Sequence, residues 1–392
     1  MAVIWALAFV LGAVACGKQG AGWQGTIRVE NGVTTVQNPA KGIWDLQGRP
    51  GLSLVKERQI GALDGPAELT FAAISDIAVN NNGEIYVADR RLTEIRKFDK
   101  DGKYLLTFGR KGQGPGEFQS IRLLSIAPNG EVIVYDDRLG RVSIFTDTGE
   151  LRTTTQKLLE TEWISAERIF CSDGGYVLFG KVGEGLPLFH EFGKDWSFKG
   201  SFVAYEPIDN KDFEAGWLNF SPGYCDFQGS GDILYTKPFY DNRLLHYQGR
   251  KLARIIARRS DIKKPYEVET FRDVQKAMGL QRQYDLASFG RGVAYLGLSF
   301  LTSRGVFRMP SGDIVNFLSV RKGTEPVDAA IRKSKNLWDL AVELYDPGGR
   351  LLSYTVLGPD PGYDIRRMDP SGLFYAVEQK DFPKVVTFRL KY

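Results

Sequence analysis

Histidine is scarce in this chain, and its scarcity limits the catalytic chemistry to be expected. The 392 residues contain two histidines, His190 and His246. A catalytic zinc centre with three histidine ligands is therefore excluded. Both histidines lie in runs that we expect to be strands, where packed or rim histidines outnumber functional ones. No Gly-x-Ser-x-Gly motif marks a serine nucleophile, so the sequence favours a protein that is not an enzyme, while a Ser-His-Asp triad stays open.

A strong charge imbalance and a membrane-spanning apolar run are also missing. Lys and Arg total 51 against 47 Asp and Glu, an excess too small to indicate nucleic acid binding. The apolar segment 2–15 has 14 residues, too few for a transmembrane helix, and no other apolar stretch is long enough. We therefore expect neither a nucleic acid partner nor a membrane span.

Small residues at the end of segment 2–15 stand directly before Cys16. An uncharged apolar segment of this length suits the hydrophobic region of a secretory signal peptide. Ala13-Val14-Ala15-Cys16 resembles a lipobox, which implies that Cys16 becomes diacylated and forms the mature N-terminus. Two or more acyl chains anchor a protein stably. Gly17, not Asp, follows the cysteine, which in families sorted by that position favours the outer membrane.

These features divide the chain into three predicted parts. They are a signal peptide at 1–15, a lipid-anchored tether at 16–45 and one folded domain at 46–392. The alternative is a plain secretory signal with an incidental cysteine. In either case we expect an extracytoplasmic protein.

A direct repeat without a gap links two adjacent segments. Residues 82–89, Asn-Gly-Glu-Ile-Tyr-Val-Ala-Asp, recur 47 positions later at 129–136 as Asn-Gly-Glu-Val-Ile-Val-Tyr-Asp. A fixed period in the 40s with several short strands per unit is typical of a β-propeller blade. Each unit predicts four strands, because period-2 runs alternate with Asn-Gly or Asp-Gly turns. Since a four-stranded sheet cannot bury both faces alone, sister sheets should stack into a ring.

Looser copies of the unit follow, which brings the predicted number of blades to six. They open at residues 172–179, 229–235, 310–317 and 369–377. A seventh blade would have to be hidden in 27–46 and 260–300. The last unit ends after its third strand at 385–390, and residues 52–60 read as a strand without a blade of their own. We predict that this N-terminal strand joins the last blade and closes the ring, which removes two open sheet edges.

A family resemblance supports the same architecture. Residues 109–118, Gly-Arg-Lys-Gly-Gln-Gly-Pro-Gly-Glu-Phe, together with 83–89 and 95–99, resemble NHL repeats. The whole chain resembles the bacterial six-bladed β-propeller lipoproteins with such repeats. NHL-like propellers include enzymes, protein-binding scaffolds and RNA binders, so the resemblance implies a fold and leaves the function open.

Two aspartates recur at one position of the repeat, and two cysteines precede glycine turns. Asp89 and Asp136 predict caps on the backbone N–H groups of the following turn, because a repeated position serves the blade. Metal or general-base roles are the alternative.

Cys171 and Cys225 should lie on the inner strands of neighbouring blades. A disulfide is chemically allowed outside the cytoplasm, but we favour buried free thiols, since adjacent inner strands diverge.

Aromatic residues are concentrated in one part that departs from the repeat. Between residues 189 and 247, 15 of 59 residues are aromatic, against 12% for the chain. Within it, residues 205–225 predict a long loop between the third and fourth blades. We predict that its rings form a ligand-binding rim, because loops on one propeller face commonly bind ligands; the alternative is packing between blades. The candidates are Phe213, Trp217, Phe220 and Tyr224.

A second departure from the repeat is the insert at 260–290. Residues 267–278 predict a short helix near 265–280 with Val268, Phe271, Val274 and Met278 on one face. Such a helix would lie over a propeller face as a lid. The basic stretch 250–264 before it predicts a solvated outer strand whose charges discourage edge pairing, with binding to an anionic surface as the alternative.

The predicted function is a lipid-anchored extracytoplasmic β-propeller that binds a protein, peptide or glycan, without catalysis and without a cofactor. The alternative is a metal-dependent hydrolase or lactonase with Ca²⁺ or another divalent cation in the propeller channel. Carboxylates from different inner strands would then hold the ion. The first candidates are Asp76, Asp226 and Asp364.

Overall fold

Antiparallel β-strands form most of the structure. The computed structural model describes residues 22–155, 158, 163–172, 174–182, 187–206, 222–229, 231–284, 286–290, 292–327 and 336–392. The strands form separate small sheets that follow one another in chain order around a six-bladed β-propeller. The two α-helices of the described part are short and lie outside the blades.

A hairpin and a short helix precede the ring. β1 (Thr26–Glu30) and β2 (Val33–Asn38) pair across Asn31-Gly32, where both residues have positive φ. This turn matches the twist of two antiparallel strands. The helix α1 (Ile43–Leu46) follows, and β3 (Ser53–Ile60) comes next.

The first two blades are the most regular. Blade 1 comprises β4 (Ile74–Val79), β5 (Ile85–Asp89), β6 (Glu94–Phe98) and β7 (Tyr104–Phe108). The two-residue strands β8 (Arg110–Lys111) and β9 (Glu117–Phe118) connect it to blade 2, which comprises β10 (Ile121–Ile126), β11 (Val132–Asp136), β12 (Arg141–Phe145) and β13 (Leu151–Thr154). Gly83 and Gly130, the turn glycines of the repeat, have φ of 79° and 85°, as such turns require.

Blades 3 and 4 continue the ring. Blade 3 comprises β14 (Trp163–Ser172), β15 (Gly175–Val182), β16 (Pro187–Phe192) and β17 (Phe198–Ala204). Blade 4 comprises β18 (Tyr224–Gln228), β19 (Asp232–Thr236), β20 (Arg243–Gln248) and β21 (Lys251–Arg258).

The insert after blade 4 is a small sheet with one helix. It consists of β22 (Tyr266–Phe271), the helix α2 (Val274–Leu280), β23 (Leu286–Gly290) and β24 (Val293–Ser299), with β24 in the middle of the sheet. The predicted helix at 267–278 is wrong in its first half, where period-2 alternation and β-branched residues favour the strand. The helix begins after the cap Asp273, whose carboxylate accepts from Lys276 N at 3.0 Å. Met278, expected on its packed face, is 46% exposed.

The last two blades complete the ring. Blade 5 comprises β25 (Leu301–Arg308), β26 (Ile314–Arg321), β27 (Trp338–Tyr345) and β28 (Leu351–Pro359). Blade 6 comprises β29 (Asp364–Met368), β30 (Phe374–Glu378) and β31 (Lys384–Lys391), with β3 as its outer strand. β3 pairs antiparallel with β31 from Ser53↔Lys391 to Ile60↔Val385. The predicted closure of the ring by an N-terminal strand is confirmed.

The N-terminal hairpin widens blade 4. β2 runs parallel to β21 along its outer edge. The buried Asn38 side chain donates to the Gly349 carbonyl at 2.9 Å and accepts from Leu351 N at 2.7 Å, so it also ties the hairpin to blade 5. Residues 26–38, which we expected in the tether at 16–45, are therefore part of the folded domain. β21, expected to be a solvated outer strand, is covered by β2.

The apolar core lies between neighbouring blades. Each of the six blade interfaces holds a buried cluster. Between blades 5 and 6, for example, the ring of Phe374 lies 5.1 Å from that of Phe317 and 5.5 Å from that of Phe307, centroid to centroid. Such tilted aromatic pairs add to the burial energy of the rings. The blades are thus held as a ring by their faces, and the inner strands converge at its axis.

Candidate functional site

β-Bulges shape the inner strands where they converge. Four of the six carry a bulge at matching distances from the following hairpin turn, and the extra residues are Ser75, Arg122, Glu167 and Arg304. β29 bulges nearer to its turn, at Arg366. Because a bulge bends its strand and re-aims a side chain, charged groups are brought toward the axis. The bulged residue is arginine in three of these five blades, Arg122, Arg304 and Arg366, but the regular repeat of blades 1 and 2 gave no signal of the bulges.

Most of these charges are neutralised by a neighbour. Arg122 donates to Glu167 at 2.7 Å and to the carbonyl of Ala166 at 3.0 Å, across the interface of blades 2 and 3. Arg366 forms an ion pair with Asp364 on its own strand. Burial opposes the charge of Arg366, but the carboxylates around it, Asp364 foremost, raise its pKa above the ordinary value.

Two arginines connect the inner strands of different blades. Arg168 of blade 3 donates to the Ile365 carbonyl of blade 6 at 3.2 Å. Arg367 of blade 6 donates to the carbonyls of Ile77 at 3.1 Å and Leu124 at 2.8 Å, in blades 1 and 2. Blades 3 and 6 lie opposite each other in a ring of six, so the Arg168 side chain spans its centre, while Arg367 connects blade 6 with blades 1 and 2. Their role is to satisfy inner-strand carbonyls and to join distant blades.

The three carboxylates of the metal alternative each have other partners. Asp76 accepts from Leu124 N at 2.9 Å, and Asp226 accepts from Arg308 N at 2.9 Å, each in the following blade. Burial raises the pKa of Asp226. Asp364 pairs with its arginine as described. Within the described ranges, no group of three or more His, Cys, Asp or Glu side chains is placed to share a metal ion, so the proposed ligand set is not brought together.

The repeated aspartates are caps, as predicted. Each carboxylate accepts from two backbone N–H groups before the inner strand and from two in the turn after the second strand. For Asp89 the donors are Ala72, Ala73, Arg91 and Leu92; for Asp136 they are Gln119, Ser120, Arg138 and Leu139. The recurring residue serves each blade in the same way.

The predicted aromatic rim is only partly covered by the structure. Phe213, Trp217 and Phe220 lie outside the described residues and stay a prediction. Tyr224 is the first residue of β18, at the inner strand rather than on a loop, and burial raises its pKa to about 12. Tyr224 therefore lies on a strand and not on the predicted loop, because the strand starts earlier than the Pro- and Gly-containing sequence indicated; its role in a binding rim stays a prediction.

The histidines and cysteines belong to the blades. His190 Nδ1 lies 2.8 Å from Ser201 Oγ, and His246 Nε2 lies 3.0 Å from the Asp232 carboxylate. Cys171 and Cys225 are free thiols on the inner strands β14 and β18. Burial raises the pKa of Cys171 to about 11 and that of Cys225 further, so both thiols stay protonated at neutral pH.

Connections between strands gather on the face at which the inner strands begin, here called the entry face. The backbone bond from Arg90 N to the Ala73 carbonyl places the turn after β5 beside the start of β4. The bond from Arg321 N to the Phe300 carbonyl places the end of β26 beside the insert in the same way. Insertions in repeat folds map to one face, which is often the binding face.

A cavity of about 880 Å³ opens on the entry face between blade 4, the insert and blade 5. Its lining includes the aromatic residues Tyr205, Phe239, Tyr266 and Tyr284. The rings of Phe239 and Tyr266 lie 5.1 Å apart. The volume is within the range of small-molecule sites. Sequence analysis missed this cavity because its walls come from separate segments, although the aromatic excess at 189–247 includes two of its rings.

Ion pairs hold one wall of the cavity in place. Lys237 lies 2.5 Å from Glu206 and 3.3 Å from Asp241, and Arg243 lies 2.5 Å from the same Asp241 and 3.4 Å from Glu206. Two cations and two carboxylates therefore form a closed quartet. Because these charges satisfy one another, they set the shape of the wall rather than a net charge.

Comparisons with known proteins agree on the fold. The family model DUF5128, described as a 6-bladed β-propeller, matches residues 62–165. The structure of a DUF4221 family member from Bacteroides vulgatus is similar, with 14% identity, a TM-score of 0.55 and coverage of 87% of this chain and 99% of that one. A Bacteroides fragilis protein assigned as exported has 13% identity, a TM-score of 0.51 and coverage of 87% and 96%. No curated protein sequence matches the chain.

At these identities the similarity concerns the fold alone. A virginiamycin B lyase from Staphylococcus aureus overlaps with a TM-score of 0.45, 10% identity and coverage of 86% and 99%, too low to support any argument about activity. Among the described helices, none is both long and apolar enough to cross a bilayer.

Proposed function

We propose that the chain is a binding module that takes a protein, peptide or glycan ligand in the cavity of the entry face. The observation that carries the proposal is the cavity itself, about 880 Å³ with four aromatic residues in its lining. The axis of the ring, the other common site in propellers, is spanned by Arg168, and Arg367 bridges the inner strands beside it. Aromatic rings beside fixed polar groups are typical of binding hot spots.

We infer that the protein acts without catalysis. In support, both histidines are hydrogen-bonded within their blades, and the buried Asp76 carboxylate is committed to backbone N–H groups. A divalent cation in the channel would have to displace those bonds. Metal analysis of the purified protein checks this inference, with less than stoichiometric Ca²⁺ or other divalent metal expected.

We further propose that the module is exported and lipid-anchored at Cys16, on the outer membrane. The support is the sequence of residues 2–17 alone. The anchor would then lie ten residues before β1, close to the hairpin on blade 4. Residues 16–25 would form the tether.

The test is ligand selection followed by variants of the cavity. The full-length protein is offered a glycan array and a library of nine-residue random peptides, and the tightest binder of each class is measured. Phe239→Ala and Tyr266→Ala should each weaken binding by roughly 30-fold, the ~2 kcal/mol of a hot spot. Phe198→Ala is the matched control, an aromatic residue 48% exposed on the outer strand of blade 3.

A second control separates the cavity from the axis. Arg168→Met should lower the melting temperature, because the carbonyls it serves lose their donors, and should leave the dissociation constant unchanged. If neither library contains a binder, or if both cavity variants bind as the parent protein does, the proposed function is wrong.

A further inference from the structure

β22 has an open edge on the entry face. Phe300 N donates to the Pro265 carbonyl at 2.7 Å, which makes this pair hydrogen-bonded in the ladder with β24. In an antiparallel ladder, hydrogen-bonded pairs alternate with non-bonded ones. The backbone N–H and C=O groups of Val268 and Thr270 therefore point away from β24. In the part of the chain that the structure describes, no strand pairs with this edge.

The open edge forms a wall of the cavity. Residues 266–269, most of β22, line it. Side chains alternate along this strand: Tyr266 and Val268 pack with Phe239, while Glu267 and Glu269 are exposed on the other face. A strand of six residues extends about 20 Å at 3.3 Å per residue, so a peptide of similar length could run beside it.

Basic and acidic side chains occupy different positions along the β22 edge. Lys263 and Lys264, just before β22, are exposed cavity residues without an ion-pair partner among the described residues. Glu267 and Glu269 follow on the strand, and Glu269 accepts from the Tyr284 hydroxyl at 3.1 Å. The edge is thus positive at its start and negative along one face.

We propose that the β22 edge binds an extended peptide segment of a partner protein as an added strand. This proposal rests on the proposed function and specifies the class of ligand that the cavity binds. Backbone bonds to Val268 and Thr270 hold the peptide, and its alternate side chains meet the apolar and the charged faces of β22. Cross-strand charge pairing selects Lys or Arg at two alternate positions opposite Glu267 and Glu269. An acidic residue beyond them meets Lys263 and Lys264.

The probes are nine-residue peptides selected from the random library against the full-length protein. We expect enriched sequences to alternate apolar and basic residues and to carry an acidic residue at one end.

Val268→Pro removes the outward N–H at a position where an edge strand tolerates proline, and should weaken binding at least tenfold. Val268→Ala keeps that N–H and should bind within threefold of the parent. The double variant Lys263→Glu, Lys264→Glu should bind more weakly and regain affinity when the acidic peptide residue is replaced by Lys.

A second measurement does not depend on the folding of a variant. Peptides N-methylated at the residues whose N–H groups face β22 should lose binding, whereas methylation at the intervening residues should not. Equal effects of the two methylation patterns would overturn strand addition. Enrichment of glycans but no peptides would overturn the peptide ligand and leave the binding module standing. Absence of both kinds of binder would overturn the proposed function as well.

Discussion

Hydrogen bonds of individual polar side chains connect the blades. Asp76 and Asp226 each accept a backbone N–H of the following blade, and Arg168 reaches the opposite side of the ring. The caps at Asp89 and Asp136 could be predicted because they recur in sequence. Arg168 could not, because its partner Ile365 lies 197 positions away and no repeat relates the two.

His190 should make stability depend on pH. Burial lowers its pKa below the ordinary value near 6.5. The unfolded chain therefore takes up a proton as the pH falls through about 6.5, while the folded protein resists it, so stability is full above that pH and declines below it. Between pH 7.5 and 5.5 this residue should therefore contribute to a loss of stability. Urea unfolding at both pH values should show a smaller decline for His190→Gln than for the parent; parallel declines would contradict the assignment.

At the scale of single strands and helices, the predictions from the sequence were most accurate where the repeat is strongest. Blades 1 and 2 each have the four strands that the sequence predicts, because Asn-Gly turns fix both register and length. The insert was harder: residues 266–271 satisfy a helical spacing and a strand alternation at once, and pairing with β24 selects the strand. The hairpin at 26–38 carries no repeat signature, and its place beside β21 depends on a contact more than 200 residues away.

Closure of the ring predicts a difference between two truncations. Proteins that start at residue 42 or at residue 61 both lack the hairpin, so they differ only in residues 42–60, which contain α1 and β3. Leu52 and Ile60, 4% and 2% exposed, leave the core only in the shorter protein. We expect that protein to lose at least about 4 kcal/mol of unfolding free energy, since each buried aliphatic residue contributes roughly 2 kcal/mol or more. Urea unfolding measures it; identical midpoints would mean that β3 adds nothing to the ring.

At the scale of the molecule, the N-terminal hairpin and the cavity belong to the same region of the ring. The hairpin lies on blade 4, and blade 4 also supplies a wall of the cavity. The sequence predicted the ring and its closure, and it placed its candidate binding residues on one loop. The cavity proposed as the binding site is lined by four segments that meet only in the folded chain.

Cys16→Ser tests the anchor. In cell fractions the parent protein should be found with the membranes and the variant in the soluble fraction, with equal melting temperatures, because only the acylation site is lost. The size of each band on a gel must show whether the signal peptide was removed. A variant that still partitions into detergent with its signal peptide cleaved would refute the lipid anchor.

The pairing of β3 with β31 also determines when the ring can close during synthesis. β3 is made within residues 53–60 and β31 within 384–391, so the ring cannot close before β31 has been synthesised. Contacts so distant in sequence slow folding, because a long loop must be closed before they form. Until then β3 and β31 each expose an unpaired edge to other chains. A nascent copy of this protein should therefore depend on chaperones for longer than a protein in which every sheet forms from strands close together in sequence.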